Sequence, residues 1–105
     1  MTWRIDKSRI GPWHEYDIFR DDEKVARARW RLRSDNNAEL HNELLQTSKS
    51  VLAKAREVLH EVVRPDMRSE GAERIVVVNT EDKASVIVRY WSFMGFEYVC
   101  GIMEV

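Results

Sequence analysis

Apolar and polar residues alternate through two early stretches of the chain. In HEYDIFR, residues 14–20, Tyr16 and Ile18 share one parity and Glu15 and Asp17 the other. In KVARARWRLR, residues 24–33, Ala26, Ala28, Trp30 and Leu32 alternate with Arg27, Arg29, Arg31 and Arg33. Successive strand side chains point to opposite faces, so this alternation predicts two strands with one face buried. The polar run Asp21-Asp22-Glu23 between them predicts a hairpin. If all three residues form the loop, Ile18 faces Ala26 and Tyr16 faces Ala28, while Asp17 faces Arg27 and Glu15 faces Arg29. A two-residue loop would slip the register by one and move apolar groups onto the charged face. The first pairing is therefore expected, with cross-strand ion pairs contributing roughly 0.2 to 1 kcal/mol each. Ahead of the hairpin, TWRID (residues 2–6) predicts a short strand, and Gly11 and Pro12 break the connection after it.

Beyond Arg33 the period changes. Asn36 followed by Glu39 resembles a capping box, and Leu40, Leu44, Val51, Leu52, Ala55, Val58, Leu59 and Val62 fall at helical spacings. Together they predict one helix from Asn36 to Arg64, where Pro65 should stop it. Such a helix is about 40 Å long at 1.5 Å per residue and should overhang so small a domain, offering its end to a partner. RIVVVN, residues 74–79, is a continuous apolar run that predicts a strand covered on both faces. Thr80 should cap a second helix carrying Glu81 and Asp82 in its first turn, with Ala84, Ile87, Val88, Trp91 and Met94 as its apolar stripe and Gly95 at its end. FEYVCGIMEV closes the chain as a strand. The order predicts an α/β (α+β) fold: a mixed, mostly antiparallel sheet with a hairpin, one long helix and one shorter helix.

Composition narrows the function classes. A chain of 105 residues reads as a single domain, 1–105. Seventeen basic and 18 acidic residues give a net charge of −1, which disfavours nucleic acid as a partner and makes any anion site local. No apolar run approaches the ~20 residues that span a bilayer, and the lone Cys100 suits a reducing compartment, so a cytoplasmic location without membrane attachment is expected. Among candidate metal ligands only Glu57, His60 and Glu61 cluster, on one helical turn, and a solvated face is the better explanation. No metal is expected. Cys100 sits in an apolar strand and has no base at motif spacing, and no glycine-rich phosphate loop joins a strand to a helix. The remaining candidate is an anion site at the start of the long helix. There Arg31 and Arg33 run into Asn36 and Asn37, and unpaired backbone N–H groups favour negative charge, with Asp35 opposing it.

The last third, RIVVVNTEDKASVIVRYWSFMGFEYV, resembles the second half of a GNAT N-acetyltransferase: an apolar strand, a short turn, the helix N-x-x-A-x-x-x-Y-x-x-x-G-F and a closing strand. Anchored on Gly95 and Phe96, the family tyrosine falls at Trp91, the alanine at Ile87 and the asparagine at Ala84. The resemblance implies a GNAT-like β-β-β-α-β-α-β order and an N-acyltransferase that uses acetyl-CoA. It also implies cofactor phosphates at the start of the long helix, against Arg31, Arg33, Asn36 and Asn37. The family's R/Q-x-x-G-x-G/A loop has no counterpart in RLRSDNNAEL, which lacks glycine, and Trp91 cannot donate the tyrosine's proton to a departing thiolate. No residue stands out as a general base. The pattern is also similar to degenerate GNAT-like internal core proteins of short-tailed phages. That likeness implies a second reading: a non-catalytic interaction or virion-associated protein, in host cytoplasm or virion, that meets a protein partner or its own copy through the long helix.

Overall fold

The computed structural model describes residues 1–77 and 102–104. Its strands lie in one sheet in chain order: β1 (Trp3–Ile10), β2 (Trp13–Arg20), β3 (Glu23–Leu32), β4 (Asn37–Leu44), β5 (Arg74–Val77) and β6 (Ile102–Glu104). Neighbours are antiparallel except β4 and β5, which are parallel. Their connection holds α1 (Lys49–Val58), a π-helical turn (Leu59–Val63) and α2 (Arg64–Ser69). The mixed, mostly antiparallel sheet is the expected one. The helix after Thr80, with Ala84, Ile87 and Trp91, and the residues Gly95 and Cys100 lie outside the described residues.

Both early hairpins turn on left-handed backbone. Between β1 and β2, Gly11 has φ 59° and Pro12 supplies a fixed negative φ, a combination that suits a type II′ turn. Between β2 and β3, Asp21 (φ 50°) and Asp22 (φ 66°) are both left-handed, as a type I′ turn requires. Asp21 is held there by mutual bonds with Thr2, its N–H donating to the Thr2 carbonyl at 2.8 Å and its Oδ1 accepting from the Thr2 N–H at 2.8 Å. The turn is thus one residue shorter than expected, yet Ile18 faces Ala26, Tyr16 Ala28, Asp17 Arg27 and Glu15 Arg29 as predicted. A bulge reconciles the two. Phe19 pairs with Lys24 and Ile18 with Ala26, so Val25 is the extra residue, and it is fully buried beside Ala26.

The predicted helix start is corrected: residues 37–44 are strand β4, and the helix begins at Lys49. NAELHNEL carries two periods at once, since Ala38, Leu40 and Leu44 are also spaced for one strand face. Its helical propensity is overridden by pairing with β3, which sets Glu39 beside Arg31, His41 beside Arg29 and Glu43 beside Arg27. Asn36 is therefore not a cap. It has φ 62° and closes the β3–β4 turn, its N–H donating to the Arg33 carbonyl at 3.1 Å. Ser48 is the cap instead, with extended backbone and its Oγ accepting from the Val51 N–H at 3.4 Å.

Pro65 does not stop the helix either. In an α-helix its ring would collide with the carbonyl of Glu61. Through Leu59–Val63 the chain takes π spacing, with the Arg64 N–H donating to the Leu59 carbonyl five residues back, and Pro65 then sits in the first turn of α2. The helical segment consequently reaches Ser69 and carries Asp66 and Met67 over the sheet.

The core lies between this segment and one sheet face. Val51, Ala55, Val58, Leu59, Val63 and Met67 pack against Tyr16, Ile18, Ala26, Trp30, Leu40 and Ile75. Trp30 is wholly buried and stacks on His14 with ring centroids 4.2 Å apart. Its indole N–H donates to the Tyr16 Oη at 3.0 Å, and the Tyr16 hydroxyl donates to Asp66 Oδ2 at 2.9 Å. Lys7 Nζ holds that carboxylate from outside at 3.1 Å. Burial, with the acceptor role of Asp66 beside it, pushes the Tyr16 hydroxyl pKa well above its ordinary value despite the opposing bond from Trp30.

Candidate functional site

The sequence-predicted site residues lie around the β3–β4 turn, Arg31 on β3, Arg33 and Asn36 between the strands and Asn37 at the start of β4, and no helix begins there. Arg31 pairs with Glu39 at 3.3 Å and Arg33 with Asp35 at 3.3 Å. The Asn37 N–H donates to Asp35 Oδ1 at 3.1 Å, and that of Asn36 to Arg33 as above. The helix end on whose N–H groups these residues were singled out does not lie at this turn.

Those groups lie at the start of α1. Its first turn has no acidic residue to oppose the positive end of the helix; the Glu23 carboxylate joins the entry through Gln46, accepting from its Nε2 at 2.9 Å. Arg20, at the end of β2, points at the same place: its Nη1 donates to Ser50 Oγ at 3.0 Å and Ser48 Oγ at 3.5 Å, and its Nη2 to Gln46 Oε1. The bulge fixes the approach, because the displaced Val25 carbonyl accepts from the N–H groups of Leu45 (2.9 Å) and Gln46 (3.3 Å). Along this loop runs the polar stretch Gln46-Thr47-Ser48-Lys49-Ser50, followed by Val51. Val51 is buried in the core and does not cover the helix end. The signal in the sequence was Gln46 together with the polar run TSKS immediately before an unbroken helical stripe.

The other face of the sheet carries the arginine stripe. Asp17 accepts from Arg27 Nε at 2.8 Å and pairs with Lys24 at 3.1 Å; burial alone would raise its pKa, and these two cations hold it below the ordinary value. Glu15 is buried and reaches Arg27 at 3.9 Å, not Arg29. The expected Glu15–Arg29 pair is therefore replaced. The Arg29 guanidinium lies 4.7 Å from the centroid of Trp13 instead, with Arg31 at 5.1 Å and the His41 ring edge-on at 5.4 Å. Glu39 accepts from His41 Nε2 at 2.9 Å, and this bond, with that from Arg31 and against the effect of burial, keeps its pKa low. Arg27, Arg29, His41, Asn42 and Glu43 line a surface depression of about 270 Å³. Among the described residues no metal-ligand cluster forms, and no helix is long and apolar enough to cross a membrane.

Comparison by sequence finds no matching family model and no matching curated protein. Comparison by structure finds acetyltransferases. A candidate acetyltransferase from Staphylococcus epidermidis superposes with a TM-score of 0.61 at 21% identity, over 82% of this chain and 53% of its own. YhhK from E. coli, a candidate N-acetyltransferase bound to coenzyme A, gives 0.69 at 14% identity, over 99% of this chain and 98% of its own. The Campylobacter jejuni N-acetyltransferase PseH, in complex with acetyl coenzyme A, gives 0.57 at 9% identity, over 91% of this chain and 69% of its own. The chain thus spans about half of the first protein and nearly all of the second. At these identities the likeness is one of fold: this is a GNAT-like α/β fold.

Proposed function

We propose that the chain is a coenzyme A-dependent N-acyltransferase domain that holds the acetyl-CoA pyrophosphate at the start of α1. The observation that carries this reading is the helix end itself: no acid in its first turn, the Arg20 guanidinium beside it, and the Ser48 and Ser50 hydroxyls around it. The likeness to YhhK in its coenzyme A complex supports it. The absent loop glycines do not block the place, because Val51 turns into the core and Lys49 adds a cation. Bound there, acetyl-CoA would supply an activated acyl thioester to an amine: the C–N bond would form, the C–S bond would break with coenzyme A leaving as its thiolate, and the amine proton would pass through a base to that thiolate. This chain's part, by this reading, is to hold the phosphates at the helix end.

Titration with acetyl-CoA, followed by tryptophan fluorescence and melting temperature, tests the reading. Saturation with a raised melting temperature is expected. Lys49→Glu and Arg20→Glu should each weaken binding by about tenfold or more, while Arg33→Glu leaves it unchanged. Weakening by Arg33→Glu alone would return the phosphates to the β3–β4 turn. No response to millimolar ligand would end the proposal.

A further inference from the structure

We infer that the depression on the open face of the sheet binds a small zwitterion of the α-amino acid class, with Arg29 taking the carboxylate and Glu43 the ammonium. On this face Arg27 pairs with Asp17 and reaches Glu15, and Arg31 pairs with Glu39, which also accepts from His41. Among the described residues, Arg29 and Glu43 have no opposite charge within ion-pair distance, and both line the same depression. Strand register sets their separation. Arg29 pairs with His41 and Arg27 with Glu43, so Arg29 and Glu43 are diagonal neighbours, roughly 7 to 8 Å apart at their bases. Arg27 stands opposite Glu43 but is taken by Asp17 at 2.8 Å and reaches Glu15 at 3.9 Å, so among the described residues Arg29 and Glu43 remain without an ion-pair partner, and at that distance they complement a ligand whose own two charges are a few bonds apart. A simple dianion would meet Glu43, and a simple amine would meet Arg29.

Arg29 is prepared for the task. Its guanidinium rests over Trp13 and its planar donors fit a carboxylate in bidentate fashion. The volume of about 270 Å³ lies below the ~300 to 1,000 Å³ of pockets for drug-sized ligands, which favours a small molecule. Only in making this zwitterion the acyl acceptor does the inference rest on the acyltransferase reading; its binding does not.

The test is an NMR titration of the full chain, without coenzyme A, by the common free α-amino acids and by their N-acetyl and C-amide forms, read at the His41 imidazole and Trp13 indole. Saturable binding by at least one free amino acid is expected, with either blocked form weaker by about tenfold or more. Arg29→Gln should abolish discrimination against the amide, and Glu43→Gln that against the N-acetyl form. Both residues are exposed, and unchanged melting temperatures show the variants folded. No saturable binding, or blocked forms binding as well as the free amino acid, overturns the site. Amino-acid binding without acetyl-CoA binding sinks the acyltransferase reading and leaves this one standing; the converse result sinks only the zwitterion site.

Discussion

Strand β3 has two faces made from neighbouring residues. Toward the helices, Ala26, Ala28 and Trp30 are buried, and the one polar chain there, Trp30 to Tyr16 to Asp66, ends on a carboxylate that Lys7 holds. Away from them, Arg27, Arg29 and Arg31 stand among acids, rings and one imidazole: Arg27 meets Asp17 and Glu15, Arg31 meets Glu39 and Trp13, and Arg29 rests over Trp13. The helix-covered face has one solution, because a fully buried group must pack or find a partner. The open face has several, because water offsets an unmade ion pair. Stability should therefore reside mainly in the first face.

The largest expected effect is on the covered face: Trp30→Ala should lower unfolding free energy by about 3 to 5 kcal/mol in denaturant titrations. A loss below about 1 kcal/mol would show that this face is not the stabilising one. Next comes Tyr16→Phe, which strands the Trp30 indole N–H and removes a bond to Asp66, at about 1 to 3 kcal/mol. The folded-state pKa of Tyr16 is raised, so its contribution is complete below the unfolded value of about 10 and is lost as pH rises past it. The wild-type chain should thus lose stability in that alkaline range more steeply than Tyr16→Phe. Asp17→Asn on the open face should be smaller, about 0.5 to 1 kcal/mol near neutral pH. Because the Asp17 pKa is lowered on folding, that difference should be present above about pH 4 and vanish as the pH falls through the lower folded value. Smallest is Arg29→Gln, within about 0.5 kcal/mol of wild type. A larger loss would mean that the Arg29–Trp13 contact is a structural brace and would blur the contrast between the faces.

Much of this was legible without coordinates. The pairing of β2 with β3 followed from alternation together with the short Asp21-Asp22-Glu23 turn, since a one-residue slip puts charge under the helices. The Arg27–Asp17 pair came with it. The helix start was not legible in the same way, because NAELHNEL satisfies a helical and a strand period equally and only its neighbour β3 breaks the tie. Misplacing that start by one strand put the helix-end argument at Asn36 and Asn37, whereas the helix begins at Lys49 with Ser48 as its cap. Pro65 misled for a related reason: its clash is local, but the π turn that relieves it is held by Leu59 and Val63 packing into the core.

What the sequence by itself determined is therefore parity: which side of β2 and β3 is apolar, which is charged, and that a hairpin with a short polar turn joins them. What only the tertiary structure decided is partnership. Whether Asn36 begins a helix or closes a turn, and whether Arg29 meets Glu15 or Trp13, depends on groups brought alongside by other strands. Side-chain direction is a property of the local backbone, whereas an ion pair or ring contact on an open face is chosen among competitors nearly equal in energy, and the fold supplies the competitors.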